Sequence, residues 1–438
     1  MSSHCSEDQR KERQASRLEM NPRKRERERN GEQVSTRLVF INRFYWPDHS
    51  ATAQILTDLA RSLCAPNREI HVITSNLLYD GQEEPMAHNE FVDGVHVHRV
   101  WTSRFGRGKL VGRAIDYLSF YVTGFFCLLR VVEAGDTVIA KTDPPLISIL
   151  AALVCRVKKA FLVNWLQDLF PEVAAALQVR GLSRGPLYSI LKSSRNWSLK
   201  SARANVVLGK LMASRIESEI NGSDRIQIIP NWVIDESIKS IPREENHLVE
   251  QWGLSGKFIV GYSGNLGRAH DYQTIFASAE LLKEKQDIVF LMIGGGAGYE
   301  SLKGLVEQAQ LENVLFKPYQ PATWLSFSLS VPDVHLVSLE PELEGLIFPS
   351  KFYGVLAVAK PILFMGDVQG EIASVINSYG IGGALSIGDT EGLTAHIEEM
   401  CSNNDLQGQR SERIQALYQQ QFLPSHSKRL WSNLLDAD

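Results

Sequence analysis

Cysteine is scarce in this chain and badly placed for cross-linking. The five cysteines among 438 residues, Cys5, Cys64, Cys127, Cys155 and Cys401, are odd in number, widely scattered and form no C-x-x-C pair. That argues against a disulfide framework or a zinc site and fits a reducing cytosol. Long hydrophobic runs are lacking as well. No uncharged stretch reaches the ~18 to 20 residues of a spanning helix, and the apolar candidate nearest to one, Tyr117 to Leu129, has thirteen. A large charge excess is also missing. The net charge of −4 is too small for a general binder of nucleic acid or acidic polymer, so electrostatic partners must be read from local clusters. No Walker lysine motif is present, which excludes a P-loop NTPase. The early residues lack the apolar core of a signal peptide, and Arg23 to Asn30 reads R-K-R-E-R-E-R-N. Residues 1–36 are therefore expected to form a disordered charged extension, with a membrane or nucleic-acid arm as the other reading.

The apolar fraction of 44% is that of a globular protein, and the length predicts two domains of roughly 190 residues each. Arg37 to Asn42 reads as a buried strand, followed by a loop from Arg43 to Ser50. A helix follows through Ala53 to Leu63, with Ile55, Leu56, Leu59 and Leu63 on one face. Further strands are predicted at Ile70 to Thr74, Thr137 to Lys141, Ala160 to Trp165 and Asn205 to Gly209. This alternation predicts an α/β domain over 37–235, then a polar linker at Ser240 to Glu250. A second alternation over 251–420 has strands at Phe258 to Tyr262, Ile288 to Ile293, Val314 to Lys317, Val334 to Ser338 and Pro361 to Phe364. Two doubly wound halves imply a cleft between the carboxyl ends of two facing sheets.

Glu340 to Phe364 is the most informative stretch: a cluster of acids, then Pro349-Ser350-Lys351, then a small-residue helix ending at Lys360-Pro361. A helix starting near Pro349 points free N–H groups and a positive dipole end outward, and Lys351 adds a charge in its first turn. A second anion-compatible loop, Gly261-Tyr-Ser-Gly-Asn-Leu-Gly-Arg268, follows the apolar run at Phe258. Its Gly264 and Asn265 suit a tight turn, and Arg268 brings a fixed cationic fork. Gly294-Gly-Gly-Ala-Gly298 lacks the G-x-G-x-x-G spacing and follows the second strand of its half. A turn that lets a nucleotide or a neighbouring loop approach closely fits it better than a dinucleotide site.

Together with Asn42-Arg-Phe-Tyr-Trp-Pro47, Trp165-Leu-Gln-Asp-Leu-Phe-Pro-Glu172 and Pro230-Asn-Trp232, these segments resemble the retaining glycosyltransferases of family 4. Within that family they are most similar to bacterial exopolysaccharide and O-antigen transferases of the colanic-acid type. The resemblance runs from about Arg37 to about Leu435. It implies a GT-B architecture, two Rossmann-like doubly wound domains facing a central cleft, with a last helix within 421–438 crossing back to the first domain. It also implies a donor diphosphate held by Arg268, Ser350 and Lys351, with Gly295 close by and the base near Lys317-Pro-Tyr319-Gln320.

The family's pair of glutamates, separated by seven residues, falls here on Leu346 and Gly354, so neither is present. Glu344 is the candidate to contact the sugar, with Glu340 and Glu342 as competitors and a solvated loop acid as the plain alternative. Glu371, at a predicted helix start after Gly370, reads equally as donor ligand or helix cap. Asp168 is expected to orient or deprotonate the acceptor hydroxyl, or to cap the helix that Pro171 begins; Glu172 is a poorer candidate. Arg268 and Lys351 complete the catalytic set. Tyr45, Trp46 and His49 are the acceptor-side candidates, with structural packing as the alternative.

From Trp101 to Arg130, Arg104, Arg107, Lys109, Arg113 and Arg130 stand against Asp116, a local net of +4. Leu110, Leu118, Phe120, Tyr121, Phe125, Phe126 and Leu128 interleave them, which suits either an interfacial helix or a core helix with a basic approach loop. The expected activity is retaining transfer of a sugar from a nucleoside-diphosphate sugar to a lipid-linked glycan at the cytoplasmic face of the inner membrane. No metal, cofactor or nucleic acid is called for. A nucleotide-sugar epimerase and a catalytically degenerate membrane-bound subunit are the rival readings.

Overall fold

The computed structural model describes residues 36–78, 86–105, 110–179, 181–183, 185–235 and 237–436. Apart from Thr36, the expected charged extension lies outside them, as do Arg107 and Lys109. By packing, the chain divides into two compact units, Met1–Trp165 with Trp197–Asn205, and Leu166–Asn196 with Val206–Asp438.

The first unit is built on β1 (Thr36–Ile41), β2 (Arg68–Ser75), β3 (Asn89–Val92), β4 (Val95–Val100), β5 (Thr137–Lys141) and β6 (Phe161–Trp165). In its sheet they follow the order β3-β4-β2-β1-β5-β6; β7 (Ala204–Val207) begins in this unit, and β8 (Ile226–Ile228) lies in the second. β1 pairs parallel with both β2 and β5, and Leu38 to Ile41 are fully buried. Burial on both faces is why this strand reads as a continuous apolar run. β4 was not foreseen as a strand. Its V-H-V-H-R-V alternation buries Val95 and Val97 and turns His96 and His98 to the other face, where they stack on His71.

Helix α1 (Ala51–Ser62) buries Ile55, Leu56 and Leu59 as its periodicity predicts. Helix α2 (Leu110–Val131) is 22 residues long and joins α3 (Ile147–Lys158) against the core that holds Phe120, Leu128 and Val154.

In the second unit, α4 (Glu172–Ala176), α5 (Pro186–Ser201, of which residues to Asn196 belong here) and α6 (Lys210–Ile220) precede the stretch expected to be a linker. That stretch is folded. Arg243 makes two 3.0 Å bonds to the Asp333 carboxylate, and α7 (His247–Gln251) buries Leu248 and Val249. A partner ninety residues away in sequence explains why polarity alone suggested a linker.

Its parallel sheet has the order β11-β10-β9-β12-β13-β14, with β9 (Phe258–Asn265), β10 (Ile288–Gly295), β11 (Val314–Lys317), β12 (Val334–Ser338), β13 (Ile362–Met365) and β14 (Gly382–Leu385). The helices are α8 (Gln273–Leu281), α9 (Ala297–Gln308), α10 (Leu325–Ser330), α11 (Lys351–Ala357), α12 (Glu371–Tyr379), α13 (Thr390–Ser402), α14 (Asn404–Leu417) and α15 (Pro424–Asp436). α15 buries Trp431 and Leu435.

Candidate active site

β9 and β10 end side by side, with Gly264 opposite Gly294 and Asn265 opposite Gly295. Gly294 has φ 136°, and a Cβ there would stand 2.1 Å from the Gly264 carbonyl oxygen. Only glycine permits so close an approach, which accounts for the run at 294–298 without a dinucleotide. Leu266 N–H donates to the Gly295 carbonyl at 2.8 Å, and Gly298 N–H donates to the Leu266 carbonyl at 2.8 Å. These bonds tie the two loops together.

Lys351 opens α11 and sends its ammonium into the end of β9. The Nζ donates to the Tyr262 hydroxyl, lies 3.9 Å above that ring, and stands 3.4 Å from both the Asn265 carbonyl oxygen and His270 Nε2. Every one of these partners is neutral. Nδ1 of His270 lies 2.5 Å from the Ser338 carbonyl, so it must carry the proton, leaving Nε2 as a lone pair facing Lys351. Burial, then the nearby Lys351 charge, push the His270 pKa down to about 3. Burial also holds Lys351 well below the ordinary lysine range.

Although the residue is half-buried as a whole, no carboxylate pairs with this ammonium among the described residues. An anion entering here would find a desolvated, positioned cation. Because α11 is seven residues long, the lysine rather than the helix dipole supplies most of the positive field.

Arg268 is exposed on the same loop, and Ser350 is exposed beside Lys351 without capping its own helix. A Cβ on Gly295 would meet the Tyr319 ring at 3.2 Å, which puts that exposed phenol at the strand ends. Gln320 instead donates to the Pro318 carbonyl within its own turn. Gly264, Asn265, Gly295, Tyr319 and Lys351 are thus brought together. Tyr262 and His270 complete this nook and were missed, because a tyrosine inside a strand reads as core and a single histidine carries no motif.

A second group of site candidates gathers at two helix starts. Glu344 is 8% exposed. Its Oε1 accepts from Glu371 N–H at 3.0 Å, while Oε2 has no partner among the described residues. Burial, and then the Glu371 and Asp367 charges, raise its pKa. Glu371 does not cap its own helix: both of its oxygens accept from the first amides of α6, Lys210 at 2.6 Å and Leu211 at 3.2 Å. Arg215, also on α6, donates to the Glu344 carbonyl at 2.9 Å.

Asp168 forms an antiparallel bridge with Ile347, and Leu169 N–H donates to the Leu346 carbonyl at 2.9 Å, so the W-L-Q-D loop runs against the segment that follows Glu344. The same loop reaches the Pro230-Asn-Trp segment through paired amides of Gln167 and Asn231. Glu172 is bonded to Arg195 at 2.7 Å and is occupied in structure. Among the competing acids, Glu342 is exposed, and burial raises the Glu340 pKa.

The acceptor-side candidates lie in the first unit. Tyr45 is only 4% exposed, and burial drives its phenol pKa upward. Trp46 is at the surface, with its carbonyl accepting from Arg99 at 2.9 Å, and His49 is exposed. Arg43, in the same loop, is buried against Asp116 at 3.8 Å and lies over the Tyr117 ring.

Comparison with known proteins adds to this geometry. Residues 244–417 match the family model described as Glycosyl transferases group 1. The chain is 28% identical over 301 residues to the probable glycosyltransferase WbjE of Pseudomonas aeruginosa, covering 68% of this chain and 74% of the relative. It is 22% identical over 368 residues to the putative colanic acid biosynthesis glycosyl transferase WcaI of Escherichia coli (strain K12), covering 81% and 89%. The solved structure of Anabaena Alr3699/HepE in complex with UDP aligns with TM-score 0.66 at 13% identity, covering 92% of this chain and all of that one. The two parallel-sheet α/β units are those of the GT-B fold.

Proposed function

From a group 1 glycosyltransferase domain in the second half of the chain, we propose that this protein is a retaining glycosyltransferase of family 4. It moves a sugar from a nucleoside-diphosphate sugar to a lipid-linked glycan in surface polysaccharide synthesis, working at the cytoplasmic face of the inner membrane. The observation that carries the reading is the Lys351 ammonium, held by neutral groups at the end of β9 with no acid beside it among the described residues.

In the proposed step the bond between the sugar's anomeric carbon and the diphosphate oxygen breaks, and its electron pair leaves with the diphosphate. Lys351 and the exposed Arg268 take up the developing charge. The acceptor hydroxyl bonds to the same face of the anomeric carbon, and its proton passes to the departing diphosphate. Asp168 orients that hydroxyl, and the vacant oxygen of Glu344 accepts from a sugar hydroxyl. The charge is met by side chains, so no resident metal or cofactor is called for.

Thermal unfolding with UDP, GDP, ADP and dTDP tests the donor site. UDP comes first, because HepE was solved with it. One nucleotide is expected to raise the unfolding temperature, and the rise should vanish in Lys351→Ala and Arg268→Ala. A folded wild-type protein that ignores every nucleotide at millimolar concentration would sink the proposal.

A further inference from the structure

A protonated lysine carries three N–H groups, and Lys351 Nζ finds three acceptors among the described residues: the Tyr262 hydroxyl, His270 Nε2 at 3.4 Å and the Asn265 carbonyl at 3.4 Å. Two of these are groups that elsewhere donate as readily as they accept. Here each is turned into an acceptor by a backbone carbonyl behind it. The Tyr262 O–H is donated to the Asn265 carbonyl at 3.1 Å, and the His270 Nδ1–H to the Ser338 carbonyl at 2.5 Å. Both lone pairs therefore face the ammonium.

Tyr262 is held by its place inside β9, where it is fully buried. His270 lies on a loop that is tied down on both sides of it. The Ala269 carbonyl accepts from Glu340 N–H at 3.0 Å, and the Asp271 carbonyl accepts from Ser338 Oγ at 3.3 Å. The imidazole is thus flanked by bonds to the end of β12 and the segment after it. The one acid between Leu266 and Tyr272 is spent elsewhere: the Asp271 carboxylate accepts from Gln273 N–H and Thr274 N–H, both at 3.1 Å, at the start of α8. Of the three contacts of Nζ, those with Tyr262 and His270 are partly buried, and the one with the Asn265 carbonyl is exposed.

We infer that His270 is a positioning residue for Lys351: with Tyr262 it fixes two of the ammonium's N–H groups, so that the third, turned to the exposed Asn265 carbonyl, is the one a donor diphosphate oxygen takes over. The inference rests on the donor-site reading given above and names the side chain that aims its cation. The imidazole works through its lone pair and needs no charge of its own; a second cation 3.4 Å from the first would oppose it.

Two substitutions separate the ring's two nitrogens. His270→Asn keeps an N–H near the place of Nδ1 and leaves nothing at Nε2, whereas His270→Gln puts its amide oxygen near Nε2 and gives up the bond to Ser338. Titration calorimetry with UDP, GDP, ADP and dTDP reads affinity, and thermal unfolding of the nucleotide-free protein reads stability. His270→Asn is expected to unfold near the wild-type temperature, yet to bind the nucleotide that wild type binds about tenfold or more weakly, through loss of a hydrogen bond to a charged group. His270→Gln should unfold at a lower temperature and bind within about threefold of wild type. A purely structural histidine would not give that crossed pattern, since stability and affinity would fall together. His270→Asn binding like wild type, or His270→Gln binding as poorly as His270→Asn, overturns the inference while leaving the Lys351 site standing. A wild-type chain that binds none of the four nucleotides overturns the donor-site reading and the inference with it.

Discussion

Two lysines of this chain are held in nearly the same way and serve opposite ends. Lys141, at the end of β5, donates to the Thr52 carbonyl at 2.8 Å and lies 4.0 Å over the Trp165 ring. Lys351, at the end of β9, likewise meets a backbone carbonyl and an aromatic face. Burial drives both pKa values well below the ordinary range. They differ in their surroundings. Lys141 is 1% exposed, and the Asp143 charge favours its ammonium form. Lys351 is half-buried, and no acid is among the causes of its shift. An enclosed lysine with an acid nearby joins parts of a fold, whereas an accessible one without an acid is ready for an anion that is not part of the chain.

Exchanging the two effects is the strongest challenge to this contrast. Lys351→Ala should lower transfer by about 10²- to 10³-fold while leaving the unfolding temperature of the free protein nearly unchanged. Lys141→Ala should cost about 2–4 kcal/mol of stability, by leaving a cavity and an unpaired Thr52 carbonyl, and should spare nucleotide affinity. Chemical denaturation and nucleotide titration of both variants decide it. If Lys141→Ala lost the nucleotide and Lys351→Ala lost the fold, the contrast would be reversed.

A smaller effect concerns pH. In the free protein Lys351 has a depressed pKa, and a bound diphosphate raises it again. Binding should therefore take up protons, and affinity should fall as pH rises through the free-protein pKa, by at most about tenfold per unit. Calorimetry in two buffers of different protonation enthalpy measures the uptake, and Lys351→Arg should abolish it because guanidinium does not titrate in this range. Nucleotide binding without proton exchange would show that Lys351 is already charged before the ligand arrives.

The smallest expected effect separates the two units by acid. Burial, aided by the neighbouring His71 and His96 charges, pushes the His98 pKa down to about 4, while His270 beside Lys351 stands at about 3. A histidine whose folded pKa is depressed contributes stability above its unfolded value near 6.5, and that stability is lost as pH falls toward the folded pKa. The β2–β4 imidazole stack should therefore loosen at a higher pH than the Lys351 nook. Amide exchange between pH 6 and pH 4 would show it, and simultaneous loosening would count against the ordering.

Much of the fold was legible because parallel strands buried on both faces announce themselves as apolar runs, as β1, β9 and β12 do. β14 escaped because G-G-A-L offers little side chain, and β4 because histidines broke its apolar pattern. The 240–250 stretch was misread for a different reason: its order comes from Arg243 reaching Asp333, a pairing that no local window contains. The candidate site divides in the same way. Lys351 and the Gly264 loop were visible as local chemistry, whereas the tautomer of His270 depends on the distant Ser338 carbonyl. Glu371 read equally as a donor ligand or the cap of its own helix, yet its carboxylate serves α6, 161 positions earlier in the chain.

That last contact has a consequence for inheritance. Glu344 holds the first amide of α12, and the residue bearing that amide, Glu371, holds the first amides of α6. Loss of either acid leaves a helix start unserved, and loss of Glu344 alone also removes the group that positions Glu371. Among descendants of this chain the two positions should therefore be retained together or replaced together, and the substitution tolerated at one should depend on what has already happened at the other.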